Sequence, residues 1–363
     1  MSKVTQFRPG LEKVAAYRAG KPAPVGPDGR SVKLSSNENP YAPLPSVVRR
    51  LAEALPESIS RYPSIAAESL TAALATRFGV AADNLALGSG SVEVAAQLIH
   101  ALAGPGDEVM FAWRSFEAYP ILVRVAGAVP VEVPLDADAR HDLSAMADAI
   151  TDRTRLIFVC NPNNPTGTVV TEAELEAFMA RVPSDVLVVV DEAYVHFDVA
   201  ADSPSGIDFF RRYDNVAVLH TFSKAYGLAG LRVGYAIAPD AVAEALRKVA
   251  IPFAVTRLAQ EAAVASLEAE GELQVRIDEM VLERDRLTAA LREAGVTVVP
   301  SQANFVWLPL GEDTMAAAEG LERHGISARA FAGEGVRISI GDPAENDLVI
   351  AAVRAEGIGS AAK

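Results

Sequence analysis

The amino-acid sequence predicts an α/β protein built on a largely parallel sheet that helices cover on both faces. Short runs rich in Val, Ile and Leu recur from residue 85 onward, among them LIFVC, VLVVV and VAVLH. Helical stretches such as SVEVAAQLIHALA and TEAELEAFMARV separate several of these runs. Uninterrupted apolar strands that alternate with helices are typical of a parallel sheet buried on both faces.

Changes in composition divide the chain into three regions. Residues 1–44 are rich in Pro, Gly and Asn, which predicts an extended arm. Residues 45–257 carry the alternating pattern and form the predicted large domain. After them, one long amphipathic helix from about Leu258 to Ala294 leads to further β-patterned runs. We therefore predict a small α+β domain at 258–363, with the arm packed against it.

Composition and charge exclude several functional classes. The chain has 363 residues, half of them hydrophobic, so it can bury a large core. Its formal net charge of −14 disfavours binding to nucleic acid or to an anionic membrane surface. No apolar run reaches the ~18 residues of a membrane span, and the first residues do not read as a secretory signal. We expect a cytoplasmic protein.

Cysteine and histidine usage predicts neither a disulfide nor a metal site. Cys160 is the single cysteine, so no internal disulfide can form, which fits a reducing compartment. The five histidines include no pair at i, i+4 and have no cysteine cluster beside them.

Unusual polar residues follow four of the apolar runs. Residues 88–90 follow one run, residues 161–167 the next, Asp191 a third, and residues 221–224 a fourth. Ligands of open α/β sheets bind outside the carboxyl ends of the strands. We therefore expect these four elements to form one site.

Lys224 is the first candidate for chemistry at that site. It is the only lysine between Lys33 and Lys248, and its neighbours are small or apolar. A lysine removed from water has a lowered pKa, and its neutral amine can bond to the carbonyl of pyridoxal phosphate. The alternative is a lysine that extends to the surface.

A phosphate beside that lysine would explain three polar neighbours. Arg232 offers a planar fork of donors, and Thr221 and Ser223 add hydroxyl groups. The segment Gly88-Ser89-Gly90-Ser91 closes a strand and opens a helix, whose first N–H groups can also bind phosphate. The alternatives are a strand-edge arginine and a tight turn with serine N-caps. A dinucleotide-binding motif would need a third glycine, which is missing.

Four further residues are candidates for the cofactor ring and the substrate. Asp191 could keep a pyridine nitrogen protonated, and Tyr194 and Asn164 could hydrogen-bond the ring hydroxyl. Phe116 could stack on the ring. The alternatives are a helix or turn cap for Asp191 and a core position on a helix for Phe116. The loop NPNNPTG has a fixed shape because of its two prolines and its glycine.

Arg337, in the run GVRISIG, is a charged residue in a β-patterned segment near the carboxyl end of the chain. Its fork of donors could hold a substrate carboxylate through two hydrogen bonds. The alternative is a salt bridge at the rim.

Taken together, the motifs SKAYGLAGLRVGYA, NPNNPTG, DEAY, GSGS and VRISIG resemble the fold type I aminotransferases of class I/II. The resemblance runs from about Lys33 to Gly341. It is to the branch that holds aromatic amino acid (phenylalanine) aminotransferases and histidinol-phosphate aminotransferases. It implies a large domain with a mostly parallel seven-stranded sheet, a smaller α+β domain, and a homodimer with its sites at the interface.

The resemblance also implies a role for each site residue. Lys224 would carry pyridoxal 5′-phosphate, and Asp191 would pair with its pyridine nitrogen. Asn164 and Tyr194 would hold the ring oxygen. Tyr62 would reach the phosphate of the neighbouring subunit. The substrate would meet Arg337, Arg329 and Asn164. The phosphate contacts within one chain would come from Ser89, Gly90, Ser91, Thr221, Ser223 and Arg232.

The implied activity is transamination of phenylalanine and tyrosine with 2-oxoglutarate or glutamate, in ping-pong order through pyridoxamine phosphate. The segments FAWRSFEAYPILVRVAGA, KVAIPFAV and SQANFVWLPL favour the aromatic branch. Histidinol-phosphate transamination is the alternative. A lyase, racemase or decarboxylase would use the same cofactor. A regulator that senses the cofactor is disfavoured because the sequence shows no basic helix-turn-helix segment. A nicotinamide dehydrogenase is disfavoured because the glycine pattern does not fit one.

Overall fold

The computed structural model describes residues 8, 10–17, 20–27 and 29–359. Within this part of the chain, the strands are β1 (Val32–Lys33), β2 (Leu85–Gly88), β3 (Glu108–Trp113), β4 (Val129–Pro134), β5 (Thr154–Cys160), β6 (Leu187–Asp191), β7 (Val216–Thr221), β8 (Gly234–Ile237), β9 (Phe305–Leu308), β10 (Ile326–Ser327), β11 (Arg329–Phe331) and β12 (Gly335–Ser339).

The α-helices are α1 (Pro45–Ser58), α2 (Glu68–Phe78), α3 (Ser91–Leu102), α4 (Ala118–Ala126), α5 (Leu143–Asp148), α6 (Glu172–Met179), α7 (Gly206–Arg212), α8 (Asp240–Val249), α9 (Arg257–Glu268), α10 (Glu270–Glu293), α11 (Thr314–Arg323) and α12 (Pro343–Glu356).

The central sheet has seven strands in the order β2-β8-β7-β6-β5-β3-β4. Every neighbouring pair is parallel except the two that involve β8, which runs antiparallel to β2 and to β7. The prediction of a mostly parallel seven-stranded sheet is therefore confirmed. Because most strands point the same way, the carboxyl ends of β5, β6 and β7 lie at one edge.

Helices bury both faces of this sheet. On β5, Leu156 and Phe158 pack in a cluster with Val94 and Leu98 of α3. Ile157, which points to the other face, packs in a separate cluster with α6. Successive side chains of a strand point to opposite faces, so a strand covered on both sides must be apolar throughout. This is why the runs in the sequence are continuous rather than alternating.

The carboxyl-terminal part of the chain forms a three-stranded antiparallel sheet in the order β11-β12-β9. Its apolar cluster includes residues of α10, α11 and α12. The short strand β1 pairs in parallel with β10, with Val32 opposite Ile326. This pairing ties residues 32–33 of the amino-terminal segment to the carboxyl-terminal part.

The long helix expected from Leu258 to Ala294 is two helices, α9 and α10, so that prediction was wrong in detail. They separate at Ala269, whose backbone leaves the helical region (φ −105°, ψ 24°). Gly271 follows in the next turn, where the freedom of a glycine backbone weakens a helix.

Candidate active site

Nine of the residues singled out in the sequence line one cavity of about 250 Å³ at the carboxyl edge of the sheet. An adjoining cavity of about 190 Å³ is lined by Arg329 and Arg337 and shares Lys224, Phe116, Asn164 and Tyr194 with the first. The four strand-end elements therefore do converge. The nine residues are Ser91, Phe116, Asn164, Asp191, Tyr194, Thr221, Ser223, Lys224 and Arg232.

Lys224 follows β7 and faces both cavities. Its Nζ donates hydrogen bonds to the carbonyl oxygens of Ser36 (3.2 Å) and Asn37 (3.3 Å). Burial is the main cause that lowers the pKa of Lys224 to about 7, and the positive charge of Arg337 lowers it further. Glu38 opposes this shift. At neutral pH a substantial fraction of the amine is therefore uncharged and nucleophilic.

Asp191 is the last residue of β6 and is buried. Its Oδ2 accepts a hydrogen bond from the Tyr119 hydroxyl (2.5 Å), and its Oδ1 accepts one from the Ala193 N–H (3.2 Å). Oδ1 of Asp191 therefore caps the turn, as the alternative predicted, whereas Oδ2 does not. Burial raises the pKa of Asp191 to about 6, against the effect of these two hydrogen bonds. The carboxylate is mostly ionised at pH 7 and lines the cavity.

Arg232 lies beside the start of α3 with hydroxyl groups around it. Its Nη1 donates to Ser223 Oγ (3.4 Å) and to the Ala229 carbonyl (2.9 Å), and its Nη2 donates to the Ser89 carbonyl (3.4 Å). Within the described residues it has no carboxylate partner. A guanidinium surrounded by neutral acceptors at a helix N-terminus keeps its charge available for an anion.

Gly90 makes the close approach of Arg232 possible. It has φ +81° and is the N-cap of α3, and a Cβ at this position would overlap the Arg232 guanidinium. A serine N-cap, the alternative for this turn, is not what the structure has. Ser89 and Gly90 stand next to Arg232 rather than on the cavity wall itself.

The three asparagines of the NPNNPTG loop make different contacts. Asn161 Oδ1 accepts from the Val170 N–H (2.9 Å), and the buried Asn163 bonds to Ser115, Thr166 and the Arg114 carbonyl. These two hold the loop in shape. Asn164 instead faces the cavities, and its Oδ1 accepts from Arg337 Nη1 (2.5 Å).

Arg337 is buried and has no carboxylate partner within the described part of the chain, so the rim salt bridge is not observed. It donates to Asn164 Oδ1 and to the Ser35 carbonyl (2.8 Å), and its Nε has no partner there. Burial lowers its pKa. Arg329, by contrast, forms an ion pair with Glu117 (2.8 Å).

Tyr62, a predicted site residue, lines neither cavity of this chain. It is 81 % exposed, in the turn between α1 and α2, and stacks on Phe253 with ring centroids 4.5 Å apart.

The sequence reasoning missed several residues at the site. Ser36, Asn37 and Glu38 belong to the segment described only as an extended arm, although its SSNEN run was a visible polar cluster. Tyr119 stands three residues after Phe116, one helical turn on, and bonds directly to Asp191. Tyr17 also lines both cavities.

Two properties of the described residues bear on other kinds of function. They contain no helix that combines the length and apolarity needed to cross a bilayer. They also contain no group of three or more His, Cys, Asp or Glu side chains arranged to hold a metal ion.

With the fold and this geometry in view, the sequence matches the family of class I and II aminotransferases over residues 30–353. The chain belongs to this family, as the motifs predicted. It is 59% identical over 346 residues to an aromatic amino acid aminotransferase of Streptomyces coelicolor, covering 95% of this chain and 96% of that one. A protein of the same name from Thermobifida fusca is 55% identical and covers 97% of each chain.

Solved structures give the same assignment of the fold. The histidinol-phosphate aminotransferase of Sinorhizobium meliloti, in complex with pyridoxal-5′-phosphate, superposes with a TM-score of 0.88 and 28% identity. That match covers 99% of this chain and 100% of that one. The aspartate aminotransferase of Thermus thermophilus with maleate superposes with a TM-score of 0.79 and 25% identity, covering 90% and 91%.

Proposed function

We propose that this protein is a pyridoxal phosphate-dependent aminotransferase that exchanges amino groups between aromatic amino acids, phenylalanine and tyrosine, and 2-oxoglutarate. One observation carries the proposal. The amine of Lys224, with a pKa lowered to about 7, shares a cavity with the buried carboxylate of Asp191 and the guanidinium of Arg232. A nucleophile, an anion and a cation in one pocket match the three chemical parts of this cofactor.

The pocket fits the cofactor on structural grounds. Arg232 is a cation with neutral partners, placed at the end of α3, where a phosphate would complete its contacts. Asp191 is a buried anion that would gain a charged partner in a protonated ring nitrogen. The cofactor would give each of these two charged groups a partner of opposite charge.

Each predicted residue has a role in holding this group. Asp191 would keep a proton on the ring nitrogen, and Tyr194 and Asn164 would hydrogen-bond the ring oxygen. Phe116 would cover a ring face. The phosphate would be held by Ser89, Gly90, Ser91, Thr221, Ser223 and Arg232, with Tyr62 contributed by a second subunit.

The chemistry divides between the cofactor and the chain. When bound, pyridoxal phosphate supplies an electron-withdrawing ring that stabilises negative charge at the substrate Cα. Lys224 takes the proton from that Cα, because its amine is neutral near pH 7 and lies in the cavity. Arg337 binds the substrate carboxylate and fixes which Cα bond faces the amine. Asn164 holds the Arg337 guanidinium in place.

The aromatic substrate class is supported by the names of the relatives with 59% and 55% identity. Histidinol-phosphate transamination, the alternative, has support from a structural neighbour at 28% identity. Half-reaction rates with phenylalanine, tyrosine and histidinol phosphate distinguish the two. A faster reaction with histidinol phosphate would contradict the aromatic proposal.

We also propose the domain division 1–44, 45–257 and 258–363, a cytoplasmic location, and a homodimer with its sites at the interface. An exposed apolar patch supports the dimer. Tyr62 and Phe253 stack on each other, and Ile59, Ile65 and Ile251 beside them in sequence are 64–74 % exposed. Large exposed apolar side chains grouped in this way are typical of a protein–protein contact.

The test of the function is Lys224→Ala. The variant should lose transamination of phenylalanine with 2-oxoglutarate by at least about a thousandfold, because the proton acceptor is gone. It should also lose the visible absorbance of the lysine-bound cofactor. Borohydride should fix the cofactor to residue 224 in the natural protein only. Normal turnover by the variant would overturn the assignment.

A further inference from the structure

Two arginines stand side by side on the wall of the substrate cavity. Arg329 on β11 is the direct cross-strand partner of Arg337 on β12, and both line the cavity that Lys224 also faces. Side chains directly opposite each other on antiparallel strands lie on the same face with Cβ atoms about 5 Å apart, and like charges in such a pair repel. This repulsion contributes to the lowered pKa of Arg337, after the larger effect of burial.

Glu117 offsets this repulsion from the other side of the cavity. It lies in the turn before α4, next to Phe116, and lines the same cavity. Its two carboxylate oxygens accept from Arg329 Nη2 at 2.8 and 3.0 Å, and one also accepts from Nε at 3.2 Å. Its charge acts on Arg337 as well, raising the pKa that Arg329 lowers.

The two arginines therefore present different charges to a substrate. Arg337 is held by neutral acceptors, an amide oxygen and a carbonyl oxygen, so its positive charge remains for a ligand carboxylate. The charge of Arg329 is already compensated within the chain. The Arg329 side chain is 15 % exposed and that of Glu117 28 % exposed, so the carboxylate has an open path to water.

A second ion pair also joins the segment after β3 to the segment of β11 and β12, so the contact between Glu117 and Arg329 is not needed for that purpose alone. Arg114, at the end of β3, pairs with Glu334 in the turn between β11 and β12. This pair connects the same two segments with the charges reversed. Neither Arg114 nor Glu334 lines the two cavities. Glu334 is thus a structural counterpart of Glu117 without access to the substrate.

We propose that Glu117 is a built-in substitute for the second carboxylate of an acidic substrate. With an aromatic substrate, Glu117 stays on Arg329 and leaves a neutral wall beside the ring. With glutamate or 2-oxoglutarate, the second carboxylate takes Arg329, and Glu117 turns to solvent. Glu117 is in this role a specificity-determining residue that allows one cavity to serve both partners of the reaction. The inference rests on the proposed function.

The test measures binding by the cofactor-loaded protein of two carboxylates that cannot react. Glutarate has two carboxylates, and 3-phenylpropionate has one carboxylate and a ring. In Glu117→Gln, titration calorimetry should show glutarate binding about tenfold tighter, because the Glu117 carboxylate no longer competes for Arg329. It should show 3-phenylpropionate binding about threefold weaker, because the Arg329 charge that faces the ring has lost the Glu117 carboxylate. Glu117→Ala is measured in parallel and has the same expected direction.

Two further variants assign the effect. Glu334→Gln, the matched control, should leave the ratio of the two dissociation constants within about twofold of the natural protein. The double variant Glu117→Gln/Arg329→Gln should lose the gain in glutarate binding. An unchanged ratio in Glu117→Gln, an equal shift in Glu334→Gln, or a gain that survives in the double variant would each overturn the proposal.

Binding of the two carboxylates by the natural protein distinguishes a failure of this inference from a failure of the proposed function. If it binds 3-phenylpropionate and the Glu117 variants leave the ratio unchanged, only the role of Glu117 is wrong. If the natural protein binds neither carboxylate, the proposed function fails and the role of Glu117 fails with it.

Discussion

At the scale of single residues, the site is defined by charged side chains whose hydrogen-bond partners are neutral. Lys224 donates only to carbonyl oxygens, Asp191 accepts from a hydroxyl and an N–H, and Arg232 and Arg337 have neutral acceptors. Where such a group is also buried, as Asp191 and Arg337 are, its pKa is shifted, and shifted groups of this kind are characteristic of functional sites. Lys224 and Asp191 both titrate between pH 5 and 8 for this reason.

The lowered pKa of Lys224 predicts how the cofactor-free protein takes up pyridoxal phosphate. Only the neutral amine can bond to the aldehyde carbon, with release of water, so the uptake rate should rise with pH around a midpoint of about 7, far below the 10.5 of an ordinary lysine. Stopped-flow absorbance on mixing gives the profile. Glu38→Gln should lower the midpoint, since Glu38 favours the charged amine. A rate that stays low until above about pH 9 would contradict the shifted pKa.

Sequence reasoning located these side chains better than it located their partners. Lys224, Asp191 and Arg337 were recognisable because a charged residue within or directly after an apolar run is unusual. Tyr119 and Asn37 were not, because a tyrosine inside an apolar helix and an asparagine in a loop have many ordinary explanations. Their roles depend on contacts with Asp191, 72 residues from Tyr119, and with Tyr194, 157 residues from Asn37. No local pattern encodes such contacts.

At the scale of elements, the site depends on strands that end together and on loops that keep their shape. The carboxyl ends of β5, β6 and β7 present Asn164, Asp191 and Lys224 to one cavity. The periodicity of the sequence predicted these strands because apolar residues must fill both faces of the sheet. It did not predict the break between α9 and α10, because the apolar pattern continues through Ala269 while the backbone does not.

The NPNNPTG loop provides a stability prediction at this scale. Asn163 is buried and bonds to Ser115 Oγ, His141, the Arg114 carbonyl and Thr166. Asn163→Ala leaves several of these groups buried without partners and should destabilise the fold by about 3 kcal/mol. Thermal unfolding of the cofactor-loaded protein should show a Tm several degrees lower.

Asn215→Ala is the matched control for that measurement. Asn215 also donates two hydrogen bonds to carbonyl oxygens, but from a half-exposed position where water can replace it. Its Tm should change much less. An equal fall in Tm in the two variants would show that Asn163 does not stabilise the fold more than Asn215 does.

At the scale of the whole molecule, the proposed dimer makes each site a product of two chains. Tyr62 lines neither cavity of its own chain and is exposed beside other apolar residues. If Tyr62 completes the neighbouring site, a Tyr62→Ala subunit and a Lys224→Ala subunit contain together one intact site. Mixing the two weakly active variants under conditions of subunit exchange should restore about a quarter of the natural activity.

Two measurements check this complementation. Sedimentation should give a dimer for both variants, and activity should rise on mixing with the rate of subunit exchange. A mixture no more active than the sum of its parts would place Tyr62 outside the site. The sequence alone suggested this arrangement only through family resemblance, since nothing in the local pattern shows which subunit a side chain serves.

The backbone of residues 35–37 has a practical consequence for anyone preparing this protein. The Ser35 carbonyl accepts a hydrogen bond from Arg337, and the Ser36 and Asn37 carbonyls accept from Lys224. This amino-terminal segment therefore forms part of the site. A shortened recombinant form that starts at residue 45, a tempting choice for crystallisation, would keep the whole central sheet. It would nevertheless lose both carbonyl acceptors of Lys224 and one of the two acceptors of Arg337.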